Sequence, residues 1–499
     1  MQFSKPNLSI PLAASYNERG VAGFTNTVTN ALDQRKINSI YEPVKNALTG
    51  KMTLYLAKRP GVAIGGTYGT TGQVAYLVSN GANLFGNANG DMWVFSVDGN
   101  DVRASNNSGT TTVIVTAANY RPTYVDKTAI SNTDTLIVQL FNSTSGAQTV
   151  WYSSAIATFT QITDSDFTGL THAGKMEFMD GFAFVLDATT KAIYNSDLNS
   201  LANWTASSYI TKQIKQDSAY GLMRLGSQIL AFGAETGEVF VNAGNPSGSP
   251  LISVKDRAFR IGIEPQTVAN GTTGLTHYYA TLGGRIYFFG QQGGKRNRGI
   301  FSYDGSQFHK VSSLAVDKII GQQGVYSINT AAFHGKEAIF FALDLTTATT
   351  QRWLVYFPEW NDWFEWNSTV FTPVGNGSFN LGVGSNQHRL YFLGSFTDNW
   401  QDDGTNYTMT HQFKLPSNGN DLKRMPMCSV VGDVSRSASS LNVEFSDDDY
   451  QSWSTARAID MTSATKMLSR CGAYRQRAVR LTHTANLDCR MERFLARIE

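Results

Sequence analysis

The feature of this sequence that most restricts its fold is a recurrence. Tight-turn signals, each followed at once by a short apolar run, return on the order of every 50 residues through most of the chain. Asp180-Gly181 precedes Phe182 to Leu186, Gly226-Ser227 precedes Gln228 to Phe232, and Gly283-Gly284 precedes Arg285 to Phe289. Further units begin at Asn80-Gly81, Asn132-Thr133, His334-Gly335 and Gln387-His388. Glycine supplies the positive φ of a two-residue hairpin turn at little steric cost. One unit spells out a whole meander: Ala338 to Leu343, Trp353 to Phe357, a turn at Asn361-Asp362, then Trp363 to Trp366. Four antiparallel strands need about this many residues, and a ring of such blades hides its strand edges. Stacked β-sandwiches would instead place turns every ~8–12 residues without the longer period. The pattern predicts an all-β chain: a β-propeller of about six to seven blades. It would span residues 53–413, with an irregular first blade between Thr67 and Thr116 and with Trp363 buried between sheets. A mixed N-terminal arm (1–52) and a C-terminal β region (414–499), where arginines gather, flank it.

Composition narrows the function classes. Glycine outnumbers proline 45 to 12 and 41% of residues are hydrophobic, which suits short strands around a sizeable core and excludes general disorder. Charged residues are only 16%, with a formal net charge of +2, so a dedicated nucleic-acid binder or membrane-surface protein is not indicated. Met1 to Gly20 lack the charged start and apolar stretch of a signal peptide, and no stretch approaches the ~18 apolar residues of a membrane span. The expectation is a soluble protein made in a cytosol, without membrane insertion. Cys428, Cys471 and Cys489 are too few to staple such a chain and read as buried free thiols. Zinc held by Cys471, His483 and Cys489 is the lesser reading, because no Cys-x-x-Cys pair supports it.

Motifs that carry chemistry are scarce. Gly290-Gln291-Gln292-Gly293-Gly294-Lys295-Arg296 has the wrong glycine spacing for a phosphate loop and no Ser or Thr after the lysine. Neither a His-Glu-x-x-His helix nor a Gly-x-Ser-x-Gly elbow occurs. Ser446-Asp447-Asp448-Asp449-Tyr450-Gln451-Ser452-Trp453 resembles the Asp-box turn of sialidases and other propellers, whose role is structural. Tyr450 stands where that turn has glycine, so the same positive-φ turn is not expected unchanged. Basic groups collect in two places. Lys295, Arg296 and Arg298 share a loop, a solvated turn or a contact to a partner or DNA. Lys466, Arg470, Arg475, Arg477, Arg480, Arg490, Arg493 and Arg497 are accompanied by only Asp488 and Glu492, an excess suited to an acidic surface or phosphates.

Several words occur in a familiar order. They begin at Asp33-Gln34-Arg35-Lys36-Ile37-Asn38-Ser39-Ile40-Tyr41-Glu42-Pro43 and Lys58-Arg59-Pro60-Gly61-Val62. Asp180-Gly181-Phe182, Ser196-Asp197-Leu198-Asn199 with Trp204, Phe232-Gly233, Asn242-Ala243-Gly244, Arg260-Ile261-Gly262 and Tyr303-Asp304-Gly305 follow. Val443-Glu444-Phe445-Ser446-Asp447-Asp448 with Trp453, and Arg475 to Leu481, close the series. In this order the chain resembles the packaged-DNA stabilisation family, the tail hub or nozzle proteins of short-tailed bacteriophages.

The resemblance implies a structural virion protein made in the host bacterial cytoplasm, with no catalytic residue, cofactor or metal. It implies a homohexamer docked on the head-to-tail adaptor ring beneath the portal, holding tail fibres, spikes or a needle. Double-stranded DNA would pass through its channel without sequence-specific binding and be retained until ejection. A closed propeller offers no free edge, so docking falls to the two non-repeating ends. The candidates there are Arg35, Asn38, Tyr41, Arg470, Arg475, Arg477 and Arg480. Two competing classes remain: a sialidase-like propeller glycosidase, which needs paired carboxylates or a tyrosine nucleophile, and a receptor-binding tail protein with Trp360, Trp363 and Trp366 as a sugar platform.

Overall fold

A computed structural model describes residues 8–13, 35–45, 52–67, 74–81, 91–106, 111–154, 158–212, 217–245, 247–263, 278–292, 297–343, 350–373, 381–384, 389–393, 399–415 and 421–499. The chain forms two compact units. One comprises Met1–Ala63, Arg352–Val370 and Phe392–Glu499, and the other Ile64–Gln351 and Phe371–Tyr391.

The second unit is a β-propeller built of antiparallel meanders. Its first blade is Val74–Gly81, Asp91–Asp98, Asp101–Asn106 and Thr111–Thr116, and its second Tyr120–Ile130, Thr133–Asn142, Gln148–Ser153 and Thr160–Gln161. The third is Glu177–Met179, Phe182–Leu186, Ala192–Ser196 and Trp204–Thr211; the fourth is Ala219–Leu225, Gln228–Gly233, Gly237–Asn242 and Leu251–Phe259. In the fifth, Ile261–Ile263 and Tyr279–Leu282 pair with opposite halves of Arg285–Gln292, followed by Asn297–Tyr303 and Phe308–Lys310. A capped helix, Leu314–Gln323, leads to the hairpin Val325–Phe333/Lys336–Leu343 that opens the next module. The last blade has the order Phe371–Pro373, Leu381–Gly384, Arg389–Leu393, Val62–Thr67. A strand from early in the chain therefore joins a sheet from its later part, and Gln401–Asp402 and Thr405–Asn406 continue that sheet beyond it. The described residues of this unit thus give five blades, a sixth hairpin whose sheet continues into Gln351–Phe357 and Asp362–Ser368, and the sheet that contains Val62–Thr67.

The turns explain the recurrence. Asp180 and Gly181 have φ of 53° and 82°, Gly283 and Gly284 57° and 71°, and His334 and Gly335 49° and 72°. Two consecutive positive φ values suit the right-handed twist of the strands they join. The turn expected at Asn132-Thr133 falls one residue earlier, on Ser131 and Asn132. Asn80-Gly81 instead ends a strand, and Gln387-His388 lies outside the described residues.

Continuous apolar runs follow from burial on both faces. Successive strand side chains point to opposite sides, so Phe184 and Leu186 pack toward the fourth blade with Ile229 and Ala231. Their neighbours Ala183 and Val185 pack toward the second blade with Ile137 and Val150. Leu230 and Phe232 then face the fifth blade, against Phe288 and Phe301. Each Leu, Ile, Val or Phe side chain among them contributes about 1.5–3 kcal/mol on burial.

In the first unit the two ends of the chain share sheets. One runs Asp362–Ser368, Arg35–Ile37, Met409–Lys414, Ala478–His483, Ser440–Ser446, Arg457–Asp460. The other runs Ser39–Lys45, Met52–Lys58, Arg490–Arg497, Met427–Gly432, Met467–Ser469, with Leu8–Pro11 also on Arg490–Arg497. Among the described residues no helix is long and apolar enough to cross a membrane.

The meander from Ala338 to Trp366 has the expected strands, but its buried tryptophans differ from expectation. Trp353 and Trp366 are fully buried, whereas Trp363 is half-exposed and lies on Tyr356 with ring centroids 4.8 Å apart. Strand alternation is the reason: Trp366 and Phe364 share the inward face, and Trp363 points the other way. Trp366→Ala should therefore cost about 3–5 kcal/mol and Trp363→Ala clearly less, as read by denaturant unfolding. Equal losses would contradict this assignment.

Candidate functional site

The N-terminal candidates are built into the first unit. Arg35 reaches Glu365 at 2.7 Å, and Arg352 holds the other oxygen of the same carboxylate at 2.7 Å. Tyr41 is buried, donates to Asp362 at 2.6 Å and accepts from Lys36 at 2.8 Å, and Lys36 is ion-paired to Asp362. The Lys36 ammonium sits 4.5 Å above the Phe364 ring, and burial lowers its pKa. Asn38, at φ 54°, donates to Asn367 and Thr408 and accepts from Arg59 and from the Asn367 amide.

Arg59 is the centre of this network. It is fully buried, and its five N–H groups go to Asn38, to the carbonyls of Pro60 and Asn367, and to both oxygens of Asp402 at 2.9 and 2.6 Å. Its plane lies 3.8 Å over the Tyr407 ring, and the Tyr407 hydroxyl donates to the Arg59 carbonyl. No signal in the linear sequence joins positions so far apart. A buried pair is a weak source of net stability but a costly one to break.

Several of the C-terminal arginines are paired with acids, some of them on other strands. Arg480 makes a bidentate pair with Glu444 at 2.7 and 2.6 Å, its direct cross-strand partner, and covers Trp453 at 4.2 Å. Arg477 is buried, grips Asp447 at 2.7 and 2.6 Å and lies 4.4 Å over Tyr474. Arg490 meets Glu42, Asp488 and Asp433, while Arg493 and Arg497 meet Glu492 and Glu499. Five of the eight basic residues of that run are thus paired with acids in space. Arg470 and Arg475 are the exposed members of the candidate set, whereas Arg477 belongs to the interior. Arg298 lies half-buried in Asn297–Tyr303, and Lys295 and Arg296 fall outside the described residues.

The Asp-box-like turn follows Ser440–Ser446 in the first unit. Asp448 accepts from the Ser446 hydroxyl at 2.8 Å and the Ser452 amide at 3.0 Å, and bonds from Ser452 hold its pKa down to about 2. Contrary to expectation, Tyr450 takes the positive-φ position itself, at 69°, directly after Asp449 at 59°. The Ser446 hydroxyl accepts from the Tyr450 amide at 2.9 Å, and the ring leans on Trp453; these contacts offset the strain that glycine would avoid. No group of metal-ligating side chains occurs among the described residues: His483 meets Ser439 at 2.7 Å, and Cys471 lies beside Cys428.

Sequence reasoning missed a polar cluster within the propeller. The opening strands of several neighbouring blades touch, as Glu177–Met179 does Ala219–Leu225. There Lys175 reaches Glu177 at 3.1 Å and Tyr124 at 2.5 Å, Tyr279 donates to Glu177 at 2.6 Å, and Tyr124 donates to Asp126 at 2.7 Å. Tyr278 donates to the Leu222 carbonyl and fills the space above Gly221, where any side chain would collide with its ring. Burial pushes Glu177 up to about 7. A carboxyl poised there could act as a general acid. Glu177, Tyr124 and Tyr279 are nevertheless buried, so the cluster is packed shut.

A profile of the family described as "Bacteriophage P22 Gp10, beta-propeller" matches residues 52–351. No curated protein gives a significant sequence match. Among solved structures, the AfRom2 CNH domain aligns with a TM-score of 0.37 and 9% identity, covering 68% of this chain and 100% of its own. BamB from Moraxella catarrhalis aligns with a TM-score of 0.29 and 10% identity, covering 76% and 97%. An oligogalacturonate lyase in complex with manganese gives 0.31 and 10%, covering 66% and 99%.

Two outcomes test the geometry. Asp402→Ala should cost about 3–5 kcal/mol by stranding the Arg59 charge; a loss within about 0.5 kcal/mol, the range of a surface change, would remove Arg59 from its central place. Glu177 ionises near 4.5 when exposed and near 7 in the fold, so the unfolded chain releases its proton first. Its stabilising contribution is fully present below about 4.5 and is lost as pH rises through about 7. Glu177→Gln keeps an acceptor for Tyr279 and Lys175. It should match the parent in acid and exceed it by up to a few kcal/mol in alkali, with unfolding measured across that range. An unchanged pH profile would contradict the buried-carboxyl reading.

Proposed function

The chain belongs to the family of bacteriophage P22 Gp10, beta-propeller, and from that premise we propose that it is a non-enzymatic tail hub or nozzle. In this reading it sits below the portal and adaptor as a homohexamer, extends the DNA channel, carries tail appendages and retains packaged DNA until ejection. The observation that carries the reading is the family match over residues 52–351, which takes in the first five blades.

Two physical features support it. Blades are packed on both faces by their neighbours, which suits a rigid part able to bear outward pressure from packed DNA. Arg477, Arg480 and Arg490 of the first unit are matched with carboxylates, which reduces the positive charge they could offer to DNA in passage. Arg470 and Arg475 are exposed, and their place on the surface makes them the adaptor-facing candidates of this reading.

A second reading, a propeller glycosidase, draws on the Tyr279–Glu177 pair. Its burial and its neighbour Lys175 favour a structural role. Glycan cleavage by the purified protein, abolished by Glu177→Gln, would overturn the non-enzymatic reading.

Phage lacking this protein should fill their heads and then lose DNA; stable, full, non-infectious particles would sink the sealing role. The double variant Arg470→Glu/Arg475→Glu should fold normally and fail to join adaptor-bearing capsids, and the parental association should weaken as salt rises. Normal incorporation of that variant would move the docking surface elsewhere.

A further inference from the structure

Two of the three cysteines lie against each other. Cys428, in Met427–Gly432, and Cys471, just beyond Met467–Ser469, place their sulfurs 3.7 Å apart, both buried and both as free thiols. Their backbones are fixed around the pair. Cys428 stands opposite Leu468 in the sheet, the Arg470 amide donates to Pro426 at 2.7 Å, and the Cys471 amide donates to Met425 at 3.1 Å. Met425 in turn donates to Gly472 at 2.9 Å. Bonding at about 2.05 Å needs the sulfurs to approach by side-chain rotation, while the strands that carry them are already paired.

The surroundings distinguish the two thiols. Arg457 donates to the carbonyls of Ser469 and Arg470, and Arg477 to that of Cys471, so two guanidinium groups border the Cys471 loop. The Cys428 thiol, and to a lesser degree these two guanidinium groups, hold Cys471 down to about 7, whereas Cys428 is pushed well up. Cys489 stands apart, and burial pushes its thiol up to about 12.

We infer that Cys428 and Cys471 form a dithiol site that reacts with low-molecular-weight disulfides and closes into an intramolecular disulfide. The Cys471 thiolate attacks one sulfur of the small disulfide, forming a mixed disulfide and expelling one thiolate. Cys428 then loses its proton and attacks the Cys471 sulfur, expelling the second thiolate. Two protein thiols are oxidised, one small disulfide is reduced to two thiols, and the two protein protons end on them. The chemistry is independent of the virion assignment, because it needs only the folded first unit.

The test uses the purified full-length protein treated with oxidised glutathione, then unfolded, alkylated and digested. Two of the three thiols should escape alkylation, and a fragment joining Cys428 to Cys471 should appear. Cys489→Ser should keep that crosslink. Cys428→Ser, lacking the resolving thiol, should retain a glutathione adduct on Cys471. Three alkylated thiols after oxidation, or a persistent glutathione adduct in the parent, would overturn the inference. So would a crosslink that includes Cys489. Should Cys428→Ser fail to fold, the parent and Cys489→Ser still decide the matter.

Discussion

The buried pair of Arg59 and Asp402 is the constraint around which the first unit is arranged. A guanidinium withdrawn from water must satisfy every N–H, and here five acceptors converge from Asn38, Pro60, Asn367 and Asp402. Those residues come from the beginning, the later middle and the last fifth of the chain. Charge desolvation demands the bonds, and the bonds bring the segments together. The residues that follow Arg59 are held as closely. Gly61 has no room for a side chain beside the Gln401 backbone, and Val62 pairs in parallel with Asp402 before running on as the closing strand. The short word Lys58-Arg59-Pro60-Gly61-Val62 thus joins a buried charge, a close backbone approach and a ring closure in consecutive residues.

What was legible in the sequence was local. The paired positive-φ turns at Asp180-Gly181, Gly283-Gly284 and His334-Gly335 mark hairpins through backbone sterics alone, and the apolar runs after them mark strands buried on both faces. From these the all-β class and the propeller follow. What was hidden was pairing across long sequence distances. The arginine-rich end read as an unbalanced surface because Glu444, on Ser440–Ser446, and Asp447, in the turn after it, stand upstream of Arg480 and Arg477 in a separate segment. Trp363 was misplaced for a different reason: in a strand, one step of register reverses the face. Tyr450 shows the limit of reading a turn by composition, since side-chain bonds from Ser446 and Asp448 hold a tyrosine where glycine is usual.

The two units treat their polar interiors differently. In the first, arginines are matched to carboxylates by bidentate bonds and stacked on aromatic rings, which fixes direction as well as distance. In the propeller, one carboxyl, Glu177, is held by a lysine and a tyrosine and stays close to its protonation point at neutral pH.

The strand Val62–Thr67 also sets a timetable for biosynthesis. It leaves the ribosome before any blade, yet its partner Arg389–Leu393 follows more than three hundred residues later. At typical elongation rates of about 5–20 residues per second, that edge waits unpaired for tens of seconds while the intervening blades fold. A nascent chain with a bare edge can add a strand from a neighbour instead of its own. Synthesis rate and crowding of polysomes therefore become determinants of yield for this protein, and a chain truncated before Arg389 would leave the ring open at that seam.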